Sequence, residues 1–261
     1  MDRNTFSRLA PTVVAPVVVV TPKDLQHIGT AFCVSSSGIW ITARHIFEGR
    51  NSYEDYKGQY PSSRLAILWT GPDDERRTPI FVSGFTRHPA SGSDLALLRI
   101  DRPEIAFPAT RLNAFVPEID TPICGLGYPS FQDGLPMLKV APGIVSNIFR
   151  NGRDSVSLPT ASYETTAAFD PLMSGGPVFQ PDGSVCGVIA TGMDAGPDGE
   201  PAISFASATP YIFMLKVAYS KSNTVSIYDL AKQRTVLTDS SFELLRMTDT
   251  DGQLRVFYAS E

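Results

Sequence analysis

The sequence predicts an all-β fold, and three observations support this prediction. Short runs rich in Val, Ile, Leu and Phe recur along the chain, and most are bounded by Gly, Pro, Ser or Asp. The 20 glycines and 21 prolines among 261 residues are many for a helical protein and are typical of strands joined by turns. Helical periodicity is weak until residues 211–219, where a short helix is expected after Pro210. We therefore expect a barrel or a sandwich.

The predicted strands are distributed along the first 190 residues. They lie at residues 13–20, 31–34, 39–42, 65–69, 80–82, 95–100, 122–126, 138–140, 144–148, 177–179 and 185–190. The segment QPDGS, residues 180–184, has the composition of a hairpin turn. Residues 101–113 contain two prolines and are interpreted as the connection between two halves of the chain. Residues 51–64 and 71–77 are interpreted as polar surface loops rather than divalent-ion sites.

Composition and charge exclude several classes of protein. The net charge is −5 and no long basic run occurs, so we expect no nucleic-acid partner. No run of 18 apolar residues is present, so we expect no membrane span. The three cysteines, at positions 33, 124 and 186, lack CxxC spacing, which argues against a disulfide framework and a structural zinc site. A reducing, cytoplasmic location fits this cysteine usage best.

Three polar residues occur in the pattern that nucleophilic serine chemistry needs, which is a hydroxyl, an imidazole base and an orienting carboxylate. His45 follows an apolar strand in GIWITARHIFEG, and Asp94 precedes another in SGSDLALLRI. Ser174 precedes two glycines in PLMSGGPVF, and two glycines permit a tight backbone with amides exposed to a ligand. Taken alone, each has a plainer interpretation: a structural histidine, a strand or turn cap, and an ordinary loop serine. Their order along the chain makes the combination informative.

These segments resemble the trypsin-like, chymotrypsin-fold serine proteases, especially the bacterial branch that includes the high-temperature-requirement proteases. The resemblance covers residues 17–215 and includes GTAFCVSSSGIWITARHIFEG, SDLALLRI, GLGYP, KVAPGIVSNI, SGGPVFQPDGSVCGVIATG and ISFASATPYIFML. It implies two antiparallel six-stranded β-barrels with the active site in the cleft between them, followed by a short C-terminal helix and a tail. The implied regions are residues 1–112 for the first barrel, 113–220 for the second, and 221–261 for an extension of unknown role.

The resemblance also implies an activity and a role for individual residues. The activity is serine endopeptidase hydrolysis of protein or peptide substrates through an acyl-enzyme, with no cofactor and no metal. Ser174 is the implied nucleophile, His45 the general base and acid, and Asp94 the orienting carboxylate. The implied oxyanion-hole amides belong to Leu172 and Ser174, and the implied substrate-binding residues are Ala168, Ala190, Thr191 and Gly192. His27 and His88 lie outside these motifs and are interpreted as structural or surface residues.

The sequence departs from the family pattern at several positions. Leu172 stands where glycine is usual, and its Cβ restricts the torsions that aim the oxyanion amide. Met173 replaces an acidic residue that zymogen-type members use for activation, Arg44 replaces an alanine, and Ala190 stands where many members have serine. Ala168, in place of an acid at the specificity pocket, predicts a small or medium apolar residue before the scissile bond. The acids Asp170, Asp194 and Asp198 lie nearby in sequence and leave this preference open.

Two alternatives to a constitutively active protease remain open at this stage. The first is a catalytically impaired pseudoprotease that binds extended peptides by strand addition without cutting them. The second is a protease that stays inactive until a regulatory protein partner reshapes the nucleophile loop, with residues 221–261 as a candidate docking segment.

Overall fold

The computed structural model describes residues 10–71, 78–88, 93–132, 134–154, 158–193, 203–220, 223–250 and 253–258. The described chain is mostly β, with few and short helices. Within the described residues, no helix is long and apolar enough to cross a membrane.

The first half of the chain forms a curled half-barrel sheet of seven antiparallel strands. They are β1 (Val14–Val20), β2 (Leu25–Ser35), β3 (Ile39–Thr42), β4 (Arg64–Trp69), β5 (Thr78–Phe81), β6 (Gly84–Arg87) and β7 (Ala96–Arg99), in the order β5-β4-β1-β2-β3-β7-β6. The valine-rich β1 lies centrally and is almost entirely buried, which explains its continuous apolar sequence. A 3₁₀ helix (His45–Phe47) and helix α1 (Tyr53–Gln59) connect β3 to β4.

The second half forms a closed six-stranded barrel. Its strands are β9 (Pro122–Gln132), β10 (Leu135–Phe149), β11 (Ser162–Thr165), β12 (Pro177–Phe179), β13 (Ser184–Met193) and β14 (Ile203–Ala208). Their order is β12-β9-β10-β11-β14-β13, and pairing of β12 with β13 closes the ring. The short β8 (Arg111–Leu112), from the connection between the halves, pairs in parallel with β13.

The chain beyond the barrel packs against both halves. It contains a 3₁₀ helix (Thr209–Met214), β15 (Lys216–Ala218), β16 (Thr224–Ser226), α2 (Ile227–Lys232), a 3₁₀ helix (Ser240–Leu244), β17 (Leu245–Thr250) and β18 (Gln253–Tyr258). Leu112 exchanges backbone hydrogen bonds with Leu237 and Asp239, at 2.9 and 3.0 Å. The Asn113 side chain donates to the Asp239 carboxylate at 2.8 Å. This segment is therefore attached to the connection between the two halves.

Three large apolar clusters form the interior. One fills the first sheet around Trp40, Phe47 and Ile67, and another fills the closed barrel around Tyr163 and Ile189. The largest lies between the halves, and it includes side chains from the C-terminal segment. Because each fully buried large apolar side chain contributes about 1.5–3 kcal/mol, this shared cluster fixes the cleft between the halves.

The predicted all-β, two-barrel chain with a short C-terminal helix is confirmed, with the first half curled rather than closed. The strands predicted at residues 138–140 and 144–148 are parts of one long strand, β10. The hairpin turn at residues 180–184 is confirmed by a 2.9 Å bond from the Gln180 amide to the Ser184 carbonyl. Most of the charged run at residues 71–77 lies outside the described residues.

The interpretation of residues 51–64 as a loop throughout was wrong, because helix α1 lies within this range. Ser52 caps this helix by accepting a hydrogen bond from the Asp55 amide, and two acidic residues occupy its first turn. Both features stabilise a helix N-terminus, and they are visible in the sequence.

The three cysteines are free thiols. Cys33 and Cys186 are fully buried, and Cys124 is partly buried. Burial raises the pKa of both Cys33 and Cys186 to about 12, so these thiols stay protonated at neutral pH. The prediction that they act as small buried apolar residues is confirmed for these two.

Candidate active site

His45 and Asp94 come together because their strands are neighbours. β3 runs into His45, Asp94 lies just before β7, and the antiparallel pairing of these strands places Thr42 opposite Ala96. The His45 Nδ1 atom lies 2.9 Å from one Asp94 carboxylate oxygen and 3.1 Å from the other. The His45 backbone amide also donates to Asp94, at 2.9 Å. The carboxylate therefore fixes both the ring and the backbone of His45.

This contact determines the protonation chemistry of His45. The Asp94 side chain is 11% exposed, whereas the His45 side chain is 49% exposed and faces the cleft. Burial lowers the pKa of His45, but the hydrogen bond and the negative charge of Asp94 outweigh it, so the pKa is raised above its usual value. The neutral ring, with its proton held on Nδ1 by the carboxylate, leaves Nε2 as the basic atom.

Ser174 lies on a turn attached to both halves of the protein. In the closed barrel, the Gly175 amide donates to Ile189 at 2.7 Å and the Ile189 amide donates to Gly176 at 2.8 Å. From the first sheet, the Thr30 amide donates to the Ser174 carbonyl at 2.9 Å. Ser174 therefore lies where the first sheet and the barrel meet.

The Ser174 hydroxyl donates to the Ala190 carbonyl at 3.0 Å in this conformation. The pairing of β13 with β14 shifts register between Ile189 and Thr191, so a β-bulge lies at Ala190. Such bulges re-aim backbone groups and are common beside active sites. The hydroxyl is therefore bonded to Ala190 rather than to His45 here, and catalytic hydrogen bonds often form only once substrate is bound.

The backbone amides around Ser174 fall into two groups. The Met173, Gly175 and Gly176 amides donate to backbone carbonyls at 3.2, 2.7 and 2.9 Å. Among the described residues, the Leu172 and Ser174 amides donate to no protein acceptor. Two amides without acceptors, separated by one residue and next to the Ser174 hydroxyl, match the donors that an oxyanion requires.

Leu172 adopts a conformation that favours glycine. Its φ is 67°, in the left-handed region. The Met173 amide donates to the Asp170 carbonyl at 3.2 Å and closes a β-turn in which Leu172 is the third residue. A positive φ at this position is typical of a type II turn. The leucine side chain is thus accommodated in the backbone geometry that the resemblance associates with glycine.

These groups line a cleft of about 640 Å³ between the two halves. Ala190, Thr191 and Gly192 also line it, and Thr191 and Gly192 are exposed. Ala168 is exposed and is not among the lining residues, so its assignment to substrate binding stays a prediction. The next residue, Phe169, does line the cleft.

Sequence reasoning missed several lining side chains. Leu158 and Phe169 are buried apolar residues of the barrel; Leu158 belongs to the same apolar cluster as Ala190, and Phe169 lies near Gly125. Ile28 and Ile46 line the side of the cleft formed by the first sheet. None of them carries a local sequence pattern that distinguishes it from an ordinary core residue.

Ion pairs surround the cleft. Arg44 and Arg87 both contact Glu48, at 3.1 and 3.3 Å, and Arg87 also pairs with Glu54. On the opposite side, Lys139 pairs with Asp170 at 2.7 Å. The negative charge of Asp170 is therefore offset by the positive charge of Lys139. Asp194 and Asp198 lie outside the described residues.

The other two histidines lie outside this cleft. The His27 Nε2 atom contacts the Gly29 carbonyl at 2.9 Å and the ring stacks on Phe131, while burial lowers its pKa to about 4. His88 is 3% exposed, and its Nε2 atom contacts the Tyr211 carbonyl at 3.1 Å. Their interpretation as residues outside the site is consistent with these positions.

The chain resembles solved protease structures. An HtrA-type protease, AlgW, solved as a serine-to-alanine mutant with a tripeptide, is 24% identical with a TM-score of 0.55, over 79% of this chain and 59% of that one. Rv3671c from Mycobacterium tuberculosis H37Rv, in the inactive form of a serine-to-alanine mutant, is 19% identical with a TM-score of 0.52, over 81% and 90%. Deg5 is 18% identical with a TM-score of 0.56, over 78% and 87%.

These likenesses establish the chymotrypsin fold that the sequence predicts. The chain spans 59% of the length of the first of these proteins. No curated protein sequence matches the chain. In sequence, the trypsin-like peptidase domain matches residues 29–188, which is more than half of the chain and includes His45, Asp94 and Ser174. The chain therefore belongs to the trypsin-like peptidase domain family and has the chymotrypsin fold.

Proposed function

We propose that the protein is a serine endopeptidase that hydrolyses peptide bonds through an acyl-enzyme. The observation that carries this proposal is the convergence of three kinds of group on one cleft. They are the Ser174 hydroxyl, the His45 imidazole oriented by Asp94, and the two backbone amides without acceptors. These are the nucleophile, base and oxyanion donors of acyl transfer.

Each step follows from these groups. As the Ser174 oxygen bonds to the substrate carbonyl carbon, its proton passes to His45 Nε2, and Asp94 stabilises the resulting imidazolium. The negative charge on the carbonyl oxygen is stabilised by the Leu172 and Ser174 amides. His45 then gives its proton to the leaving amine, and the peptide C–N bond breaks. A water molecule repeats the sequence on the ester, which releases the acid and restores the Ser174 hydroxyl.

We propose that the substrate binds as an extended strand along Thr191 and Gly192. These residues lie on β13 beyond its pairing with β12, which ends at the contact of Val188 with Pro177. Their exposure leaves backbone groups available for strand addition. The apolar side chains of Leu158 and Phe169 support a small or medium apolar residue before the scissile bond.

A peptide-library digestion analysed by mass spectrometry tests the activity and the specificity together. We expect cleavage that Ser174→Ala and His45→Ala abolish, with apolar residues before the cut. A profile dominated by Arg or Lys would contradict the specificity. Cleavage that survives Ser174→Ala would contradict the assignment of the nucleophile.

The second candidate function is peptide binding without cleavage. The observation that favours it is the Ser174 hydroxyl, which donates to Ala190 rather than to His45. If this second function is correct, the wild-type protein should bind library peptides and release them uncleaved. We also propose that a regulatory protein partner controls the protease activity. If adding a partner starts peptide cleavage, the protein is a regulated protease and not a pseudoprotease.

A further inference from the structure

Thr30, on β2 of the first sheet, makes four hydrogen bonds while fully buried. Its amide donates to Ser174 at 2.9 Å, and its carbonyl accepts from the Thr42 hydroxyl at 2.7 Å. Its hydroxyl accepts from the Tyr128 amide at 3.1 Å and donates to the Leu172 carbonyl at 2.9 Å. The one hydroxyl therefore connects strand β9 of the barrel to the turn that carries the candidate oxyanion amide.

The positive φ of Leu172 in this turn is unfavourable, so another contact must stabilise it. A β-carbon makes the left-handed region unfavourable for leucine, which would adopt a negative φ in a type I turn. The two turn types differ mainly in the orientation of the central peptide, and here that peptide joins Pro171 to Leu172. The Leu172 amide belongs to this peptide, so a change of turn type turns the amide away.

The bond that closes the turn, from Met173 to Asp170, is compatible with either turn type. The Thr30 hydroxyl instead holds the Leu172 carbonyl, whose direction depends on the torsions of Leu172 itself. The direction of the Thr30 hydroxyl is in turn fixed by the hydrogen bond from the Tyr128 amide and by the complete burial of Thr30.

We propose that Thr30 is a positioning residue for the oxyanion hole. Its hydroxyl keeps Leu172 at positive φ, and so keeps the Leu172 amide aimed at the reacting carbonyl. The role in catalysis rests on the proposed protease function, whereas the role in turn conformation does not. Glycine at position 172 would adopt this turn without the hydrogen bond from Thr30, whereas leucine requires it.

The test compares Thr30→Val, which removes the hydroxyl at similar size, with Thr30→Ser, which keeps it. The matched control is Thr110→Val, because Thr110 is also buried and its hydroxyl donates to a backbone carbonyl, that of Cys33, at 2.8 Å. The rate of labelling by a fluorophosphonate probe and, with a cleaved peptide, kcat and KM are measured for each. Urea midpoints report how far each variant is destabilised.

We expect Thr30→Val to lower kcat and the labelling rate by at least about 10-fold, towards the 10²–10³-fold expected for one lost oxyanion donor, with little change in KM. Thr30→Ser and Thr110→Val should stay within about 3-fold of wild type, since neither removes that donor. In a Leu172→Gly background the left-handed φ is no longer unfavourable, so the loss from Thr30→Val should shrink to about 3-fold or less. An undiminished loss in that background would show a merely structural role and overturn the proposal.

Crystal structures of wild type and Thr30→Val decide the conformational part even if neither protein reacts with the probe. The proposal expects a positive φ at Leu172 in wild type and a negative one in the variant. A positive φ in both would overturn it. An unreactive wild type with the expected change of φ would contradict the protease function and leave the role of Thr30 in the turn supported.

Discussion

Gly175 sits at the point where the Ser174 turn meets the first sheet, and replacing it by alanine tests how tightly the two halves are joined there. Its φ is 88°. A Cβ would overlap the Thr30 carbonyl oxygen and the Thr42 hydroxyl, and would lie 2.7 Å from the Ala43 amide nitrogen. The substitution therefore introduces both an unfavourable torsion and a steric clash.

Gly183→Ala introduces the unfavourable torsion without the steric clash, so it serves as the matched control. Its φ is 82°, and a Cβ there would meet nothing within 4 Å. Alanine at positive φ costs about 1–2 kcal/mol, offset by about 0.4–1 kcal/mol from the lower entropy of the unfolded chain. We expect Gly183→Ala to lower the free energy of unfolding by about 1 kcal/mol or less.

Gly175→Ala adds the clash. Overpacking costs about 1–3 kcal/mol. Weakening of the hydrogen bonds from Thr30 to Ser174 and from Gly175 to Ile189 adds about 1 kcal/mol each. The expected total is about 3–6 kcal/mol, measured by urea unfolding, together with loss of fluorophosphonate labelling. Equal destabilisation by the two substitutions would show that the turn is not packed against the first sheet as described, and would refute this reasoning.

Three further predictions concern titration and the C-terminal segment. Asp94→Asn should lower the pKa of His45, followed by NMR of its imidazole, and should reduce turnover by about 10⁴-fold. Because the pKa of His45 is raised in the folded protein, the ion pair of His45 with Asp94 stabilises the wild type most at low pH. This stabilisation is lost as pH rises through the folded pKa, and Asp94→Asn should remove this pH dependence of the free energy of unfolding. His27 has a folded pKa of about 4, so stability should fall as pH drops from 6.5 towards 4, and His27→Gln should flatten this loss in urea titrations at each pH. Asp239→Ala removes the acceptor of Asn113 and a helix cap, and should lower the free energy of unfolding by about 1–2 kcal/mol.

The sequence pointed to the candidate site because its three principal residues each adjoin a regular element. His45 follows β3 and Asp94 precedes β7, and apolar strands are the features that a sequence shows most clearly. Ser174 precedes Gly175, whose positive φ the turn uses. The structure places all three in one cleft.

The remainder of the site depends on contacts between distant segments. Thr30 and Leu172 are 142 residues apart, and nothing local marks the threonine as a partner of the turn. The short strand β11 and the edge strand β6 also went unpredicted, since tertiary pairing rather than a long apolar run stabilises them. Helix α1 was missed because its polar sequence, with no buried residue, outweighed the capping pattern at Ser52.

The most direct test of the account is covalent labelling of the purified protein with a fluorophosphonate probe, with the modified residue mapped by mass spectrometry. We predict modification of Ser174 in the wild type, and its loss in Ser174→Ala and in His45→Ala although both variants stay folded. Folded wild-type protein that remains unlabelled, or label on another residue, would contradict the claim that these groups form a working serine protease site.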